Sequence, residues 1–284
     1  MRAGRIGFAI VVLGALGVVA ARHIDELREV DLHPAPQWLL VAALFTFAGG
    51  ALLPLAWRET VAAYGTTLPR ATALRVWCVS QTGRFVPGSV ALVASRVVLA
   101  GRAGVSRRLA GFSLALEIGL VLVWGAFFAS WLPSSRIAGP IRLAVALAAT
   151  AVLLALPSIL RRGPGTIDRR IMYRAIALYG VNNLATTAGS AFVAVSLHPS
   201  EPRDLILVIA AVNLAIVVGM IGITPAGLGV REGAIAVLLG PRFGAGNAAT
   251  VAVAMRAWDF AFELVWIGIA VTWERRSVRR SAPA

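Results

Sequence analysis

The sequence predicts an all-α, polytopic integral membrane fold of about six full transmembrane helices plus two re-entrant helical hairpins, in a single domain over residues 1–284. Three observations carry this. Hydrophobic residues make up 58 % of the chain and mean hydropathy is +0.80, against roughly 45–50 % apolar residues in soluble domains. Six largely apolar stretches are each roughly long enough to cross about 30 Å of hydrocarbon at about 1.5 Å per residue. Two further apolar segments are broken by glycine and proline beside charged residues. Hydrocarbon leaves such a break no water to bond its freed backbone, so protein or a water-filled cavity must cover it.

The first span, residues 6–21, follows Arg2 and Arg5 and ends in Val18, Val19 and Ala20. It has the length of a signal peptide, but more membrane spans follow it, and an uncleaved first helix is expected. The remaining spans are residues 38–57, 109–132, 138–160, 174–197 and 247–273, with Trp38, Trp57, Trp131 and Trp273 expected as interfacial anchors. The interrupted segments are residues 71–100, broken at Gly83-Arg84-Phe85-Val86-Pro87-Gly88, and residues 204–240, broken between Gly222 and Gly233. Each is read as a re-entrant hairpin. Paired interruptions in corresponding halves of a membrane chain mark the substrate site of inverted-repeat transporters.

Arginine placement orients the chain. All 27 basic residues are Arg. With a cytoplasmic N-terminus, sixteen fall in cytoplasmic stretches and five (Arg22, Arg28, Arg136, Arg203 and Arg242) in external ones. A multi-pass protein of the cell membrane with both termini cytoplasmic follows, its first hairpin entering from the cytoplasm and its second from outside. The net charge of +14 and pI near 11.7 therefore report membrane orientation and not nucleic-acid binding.

An internal similarity supports the inversion. With Pro87 set against Pro225, Leu99-Ala-Gly-Arg102-Ala-Gly meets Leu239-Gly-Pro-Arg242-Phe-Gly, and Glu117 and Asp259 fall equally far before Trp124 and Trp266.

The charges at membrane depth are Arg84, Arg96, Arg231 and Arg256 with Glu117, Glu232, Asp259 and Glu263. Unpaired, each would cost about 2.5–3.5 kcal/mol at a helix centre, so they must face one another, water or a polar substrate. Arg256, Asp259 and Glu263 share one helix face at i, i+3 and i+7. A pair within that helix is the simple reading of the first two. Helices starting after Pro87 and Pro225 aim unsatisfied N–H groups into the membrane, Arg84 and Arg231 add forks that match phosphate, and Gly88, Gly227 and Gly229 allow close backbone approach. Arg84, Pro87, Gly88, Arg96, Pro225, Gly227, Gly229, Arg231 and Glu232 are thus the candidate substrate-binding residues. Glu117, Arg256, Asp259 and Glu263 are the candidate charge-compensating set.

The Arg84-to-Gly88 break, the Thr224-Pro225-Ala-Gly227-Leu-Gly229-Val-Arg231-Glu232 run and the final helix with Asp259 and Glu263 resemble the transmembrane region of lysylphosphatidylglycerol synthases and their stand-alone flippase-like relatives. The resemblance spans nearly the whole chain and is most specific in the Pro-x-Gly-x-Gly-x-Arg-Glu run. It implies a lipid-flipping domain with two re-entrant elements. Because the sequence ends at Ala284 without an aminoacyl-transferase domain, it does not imply lipid aminoacylation.

Other features point to ordinary roles. His23, His33 and His198 lie in external connectors without metal-ligand spacing, and no cofactor or metal is expected. Asn182, Asn183, Thr186 and Thr187 could line a polar path, although hydrogen bonding between helices is the expected role. Residues 161–174 form an Arg-rich connector attracted to anionic lipid. Cys78, the single cysteine, supports neither a disulfide nor a thiolate metal site. The expected function is translocation of an anionic phospholipid or polyprenyl-linked intermediate, with homo-oligomers or glycan-assembly proteins as possible partners. An integral membrane enzyme, or a non-catalytic subunit of a glycan-assembly complex, is the alternative.

Overall fold

A computed structural model describes residues 35–85, 90–133, 135–160, 163–198, 201–221 and 227–281. The expected span 6–21, Pro87, Gly88 and Pro225 lie outside them. Among the described residues the fold is all-α: nine helices, one 3-10 turn and no strand. In chain order these are α1 (Pro36–Ala62), α2 (Arg70–Gln81), the 3-10 turn Thr82–Phe85, α3 (Val90–Arg102), α4 (Arg107–Ala129), α5 (Gly139–Ile159), α6 (Arg169–Leu197), α7 (Pro202–Ile221), α8 (Val230–Phe243) and α9 (Ala245–Ser281). Local chemistry sets several starts. Ser106 Oγ accepts from Leu109 N at 3.2 Å to cap α4, Asp168 Oδ1 accepts from Arg170 N at 2.9 Å to cap α6, and Pro36 and Pro140 sit in first turns that need no N–H.

Four helices are long and apolar enough to cross a membrane: Pro36–Ala62, Arg107–Ala129, Gly139–Ile159 and Pro202–Met220. Helix α6 has the length but carries Asn182 and Asn183 at its centre, and α9 carries Arg256, Asp259 and Glu263. Those polar residues are spent on the site described below. The segment 204–240, expected as two short arms, divides instead into the 20-residue α7 and the 14-residue α8. Only α8 is too short to cross, since 14 residues rise about 21 Å. In the segment 71–100 both helices are short, at 12 and 13 residues.

Antiparallel α1 and α6 form the central pair. Its ends are pinned by Ala35 N donating to Ser196 O and Asp168 N donating to Ala63 O, both at 2.8 Å. Small residues let the backbones meet: a Cβ on Gly189 would run into Thr46 and lie 3.2 Å from Ala42 O. Helices α2, α3 and α4 pack beside one end of this pair through buried Trp57, Val61, Val76, Ala100 and Leu109. Trp57, expected as an interfacial anchor, is fully buried there and donates to Ser113 Oγ at 3.0 Å. Helices α7, α8 and α9 pack beside the opposite end through Ala191, Val208, Ala211, Leu239 and Met255.

Contacts also link the flanks of each interrupted segment. Leu68, just before α2, and Val105, just after α3, share a buried cluster. Arg242, near the end of α8, reaches back to the first turn of α7, its Nε donating to Asp204 Oδ1 at 2.8 Å.

Candidate functional site

Between the two segments lies a half-open cavity of about 510 Å³. Helix α6 supplies one wall with Asn182, Asn183, Thr186, Thr187 and Ser190. The charges come from Glu117 on α4, Arg231 on α8, and Arg256, Asp259 and Glu263 on α9. Trp77 and Gln81 on α2 and Leu92 and Val93 on α3 close the far side. Five of the eight charges expected at membrane depth therefore line one cavity, and both interrupted segments contribute to it.

The charges divide into two kinds of pair. Arg96 is fully buried. Its Nη1 donates to Glu117 Oε2 at 3.2 Å, its Nε to Ser80 Oγ at 2.6 Å, and its guanidinium lies 5.3 and 5.5 Å from the ring centroids of Trp57 and Trp77. Glu117 also accepts from Trp77 Nε1 at 3.0 Å and from the Tyr179 hydroxyl at 3.3 Å. Arg96, expected among the substrate-binding residues, is held by protein partners on every side. The second kind clasps α8 to α9. Arg231 Nη2 donates to Asp259 Oδ2 at 3.0 Å, and Arg256 Nε lies 3.3 Å from Glu232 Oε1. Base and acid alternate between the helices, so each helix gives one of each. The simple reading, in which Asp259 answers the arginine of its own helix, gives way to this cross-helix arrangement.

The clasp remains accessible. Side-chain exposure is 17 % for Arg231 and 23 % for Asp259, against 0 % for Arg96 and 7 % for Glu117. The acids also keep second partners: Asp259 Oδ1 lies 3.4 Å from Ser190 Oγ, and Glu232 Oε2 accepts from Gly229 N at 2.6 Å, capping the start of α8. Glycine is required at this start. Gly227 and Gly229 adopt φ of 70° and 81°, where a side chain is strained, and a Cβ on Gly227 would lie 3.2 Å from Gly219 O. The turn is thereby pressed against α7 and holds Arg231 at the cavity wall. Arg84 falls in the 3-10 turn Thr82–Phe85.

Sequence reasoning missed Trp77 and Ser190. The signal for Ser190 was present, because Asn183, Thr187 and Ser190 recur at i, i+4 and i+7 on one face of α6. Nothing local marked Trp77 as the donor to Glu117, 40 residues away.

Among the described residues, fold and site together define an all-α protein with four helices long and apolar enough to cross a membrane, three of which (α1, α4 and α7) line a charged cavity. No protein-family model matches the chain, and a comparison with curated proteins finds no match.

Proposed function

We propose that this chain is a membrane-embedded translocase for a lipid with an anionic phosphate head, and that the cavity beside α8 and α9 receives that head. The carrying observation is the accessible clasp, in which two arginines facing one cavity are neutralised by carboxylates that each hold another partner. A phosphate entering between Arg231 and Arg256 gains charge-assisted, fork-shaped hydrogen bonds. Asp259 then retains Ser190, and Glu232 retains Gly229 N–H and the positive end of α8. Neither arginines nor acids are left bare in low dielectric at any stage.

In this reading the interrupted segments are inverted re-entrant elements. The return of α8 to the start of α7, the shared cluster at Leu68 and Val105, and the paired ties Arg96 to Glu117 and Arg231 to Asp259 support it. Each tie joins the arm after a break to the next helix, as an internal repeat requires. Rocking of one repeat against the other would expose the cavity to each side in turn. The resemblance to the lysylphosphatidylglycerol synthase membrane region agrees with lipid movement, and the cell membrane is the proposed location.

The test is translocation of fluorescent phosphatidylglycerol and of a polyprenyl phosphate in reconstituted vesicles, with phosphatidylcholine as control. Faster movement of either anionic lipid than of phosphatidylcholine, lost in Arg231→Gln at equal protein, is the expected result. Equal rates for all three lipids would refute the reading.

A further inference from the structure

The charged clasp occupies one part of the cavity, and the cavity continues past it. At about 510 Å³ it falls in the range that takes a drug-sized ligand, about 300–1,000 Å³, more than a bare phosphate needs. Contacts with α1 give the register of that continuation. At the level of the clasp Trp258 Nε1 donates to Thr46 Oγ1 at 2.9 Å, a Cβ on Gly189 would run into Thr46, and Ser190 Oγ lies 3.4 Å from Asp259 Oδ1. One turn further along α1, a Cβ on Gly49 would run into Thr186 and a Cβ on Gly50 into the Trp266 indole. Helix α6 thus runs antiparallel to α1 and α9 parallel to it, so Asn183 and Trp266 lie beyond the clasp in the same direction. Asn183 is seven residues from Ser190, and Trp266 seven from Asp259, about 10 Å along each helix.

Both residues line the cavity and carry a buried polar atom that the protein does not answer. Asn183 is 5 % exposed, and neither its Oδ1 nor Trp266 Nε1 has a hydrogen-bond partner among the described residues. Such atoms are costly to leave bare, so each calls for a ligand atom. The indole N–H only donates. An amide holds an acceptor and donors whichever way round it sits, and a partner that only accepts or only donates serves one end of it alone. Ionised phosphate only accepts, and an ammonium only donates. A hydroxyl does both. Charge agrees, because the lining sets Arg231 and Arg256 against Glu117, Asp259 and Glu263, a balance that suits one phosphate followed by a neutral group and repels a second phosphate. Taking the clasp as the seat of the phosphate, as the proposed function does, we infer that the lipid head carries a polyhydroxyl ring, a sugar or cyclitol joined to a single phosphate, whose hydroxyls bond Asn183 and Trp266. Trp77, Phe262 and Trp266 line the same cavity and give the C–H groups of such a ring apolar surface.

The test is calorimetric titration of the purified full chain, in a detergent without a sugar head, with the 1-phosphates of glucose, mannose and myo-inositol, with phosphoethanolamine and with inorganic phosphate. At least one ring phosphate is expected to bind about tenfold more tightly than inorganic phosphate and phosphoethanolamine, the effect of two added hydrogen bonds. The tighter of hexose and cyclitol names the ring. In Asn183→Leu the preference should shrink to about threefold or less. Where that variant does not fold, Trp266→Phe, which keeps a ring against Phe47 and removes the N–H, reads the same preference from the other side. Ring phosphates that bind no better than inorganic phosphate, tighter binding of phosphoethanolamine, or a preference kept in a folded variant would each overturn the polyhydroxyl head while leaving the clasp in place. Inorganic phosphate binding that Arg231→Gln does not weaken would instead remove the clasp as the phosphate seat, and this inference with it, so the two failures are distinguishable.

Discussion

Arg231 on α8 and Asp259 on α9 form a 3.0 Å ion pair at a cavity wall with about a fifth of each side chain still exposed. The second arginine pair, Arg96 with Glu117, has the same chemistry and a different physical role. Its charges are sealed among Trp57, Trp77, Ser80 and Tyr179, where breaking either partner strands the other. Exposure separates the two: Arg231 and Asp259 both keep accessible surface at the cavity, whereas Arg96 keeps none and Glu117 reaches the cavity with 7 % of its side chain exposed.

The exposed pair should contribute little to stability and much to binding. A double-mutant cycle of Arg231→Gln and Asp259→Asn should give a coupling of about 1 kcal/mol or less, the range of solvent-accessible pairs. Affinity for a short-chain phosphatidylglycerol should fall about ten- to a hundredfold in Arg231→Gln, the loss of a charge-assisted contact. Full-strength lipid binding by a folded Arg231→Gln protein would remove the clasp from the mechanism.

The sealed pair should behave in the opposite way. Glu117→Gln leaves Arg96 charged with no counter-charge in its enclosure, a loss of about 3–5 kcal/mol. For a chain of this size that is a fall of roughly 6–20 °C in melting temperature. Arg96→Met combined with Glu117→Leu should recover more than half of it, because no charge then remains buried. Strictly additive losses, measured by thermal unfolding in detergent, would show that the two residues do not depend on each other.

Packing of the central helices makes a third prediction. A Cβ on Gly180 would lie 2.6 Å from the Trp124 ring, and Trp124 is held in place by its Nε1 donating to Ile176 O at 3.0 Å. Gly180→Ala should therefore destabilise by about 1–3 kcal/mol as an overpacked site, although alanine is the better helix former. A Gly180→Ala protein as stable as the parent would show that the α4 to α6 contact yields freely.

Much of this arrangement was legible in the sequence because charges inside apolar segments need a reason for being there. Arg231, Arg256, Asp259 and Glu263 were singled out on that ground, and the cavity gathers all four. Their partners were not legible. The spacing of Arg256 and Asp259 suggests a pair within one helix, but the entry of α8 beside α9 offers each a partner across the interface. Trp57 stands at the end of an apolar run, where a tryptophan usually anchors at the interface. Only the fold places Ser113 opposite its indole N–H and the Arg96 guanidinium over its ring. Helix α7 departed from the expected short arm because its apolar residues continue through Met220 before the break.

Topology provides the last prediction, and it tests the paired elements directly. Helix α6 has 29 residues and rises about 43 Å, enough to put the connectors at its two ends on opposite sides of a bilayer. Its start is tied to Ala63 and its end to Ala35. The connectors near Thr67, Gly101 and Thr166 should therefore share one face, which the arginine asymmetry makes cytoplasmic, while those near Ser135 and Ala245 share the other. Buried Cys78 is first replaced by serine. Single cysteines at these five exposed positions are then labelled in intact and permeabilised cells with a membrane-impermeant maleimide. Thr67→Cys and Gly101→Cys carry the argument, because they bracket α2 and α3. If the two shorter helices turn back within the membrane, both cysteines label only after permeabilisation. Labelling of one from outside and the other from inside would mean that α2 and α3 together cross the bilayer, and the inverted pair of re-entrant elements would fall with them.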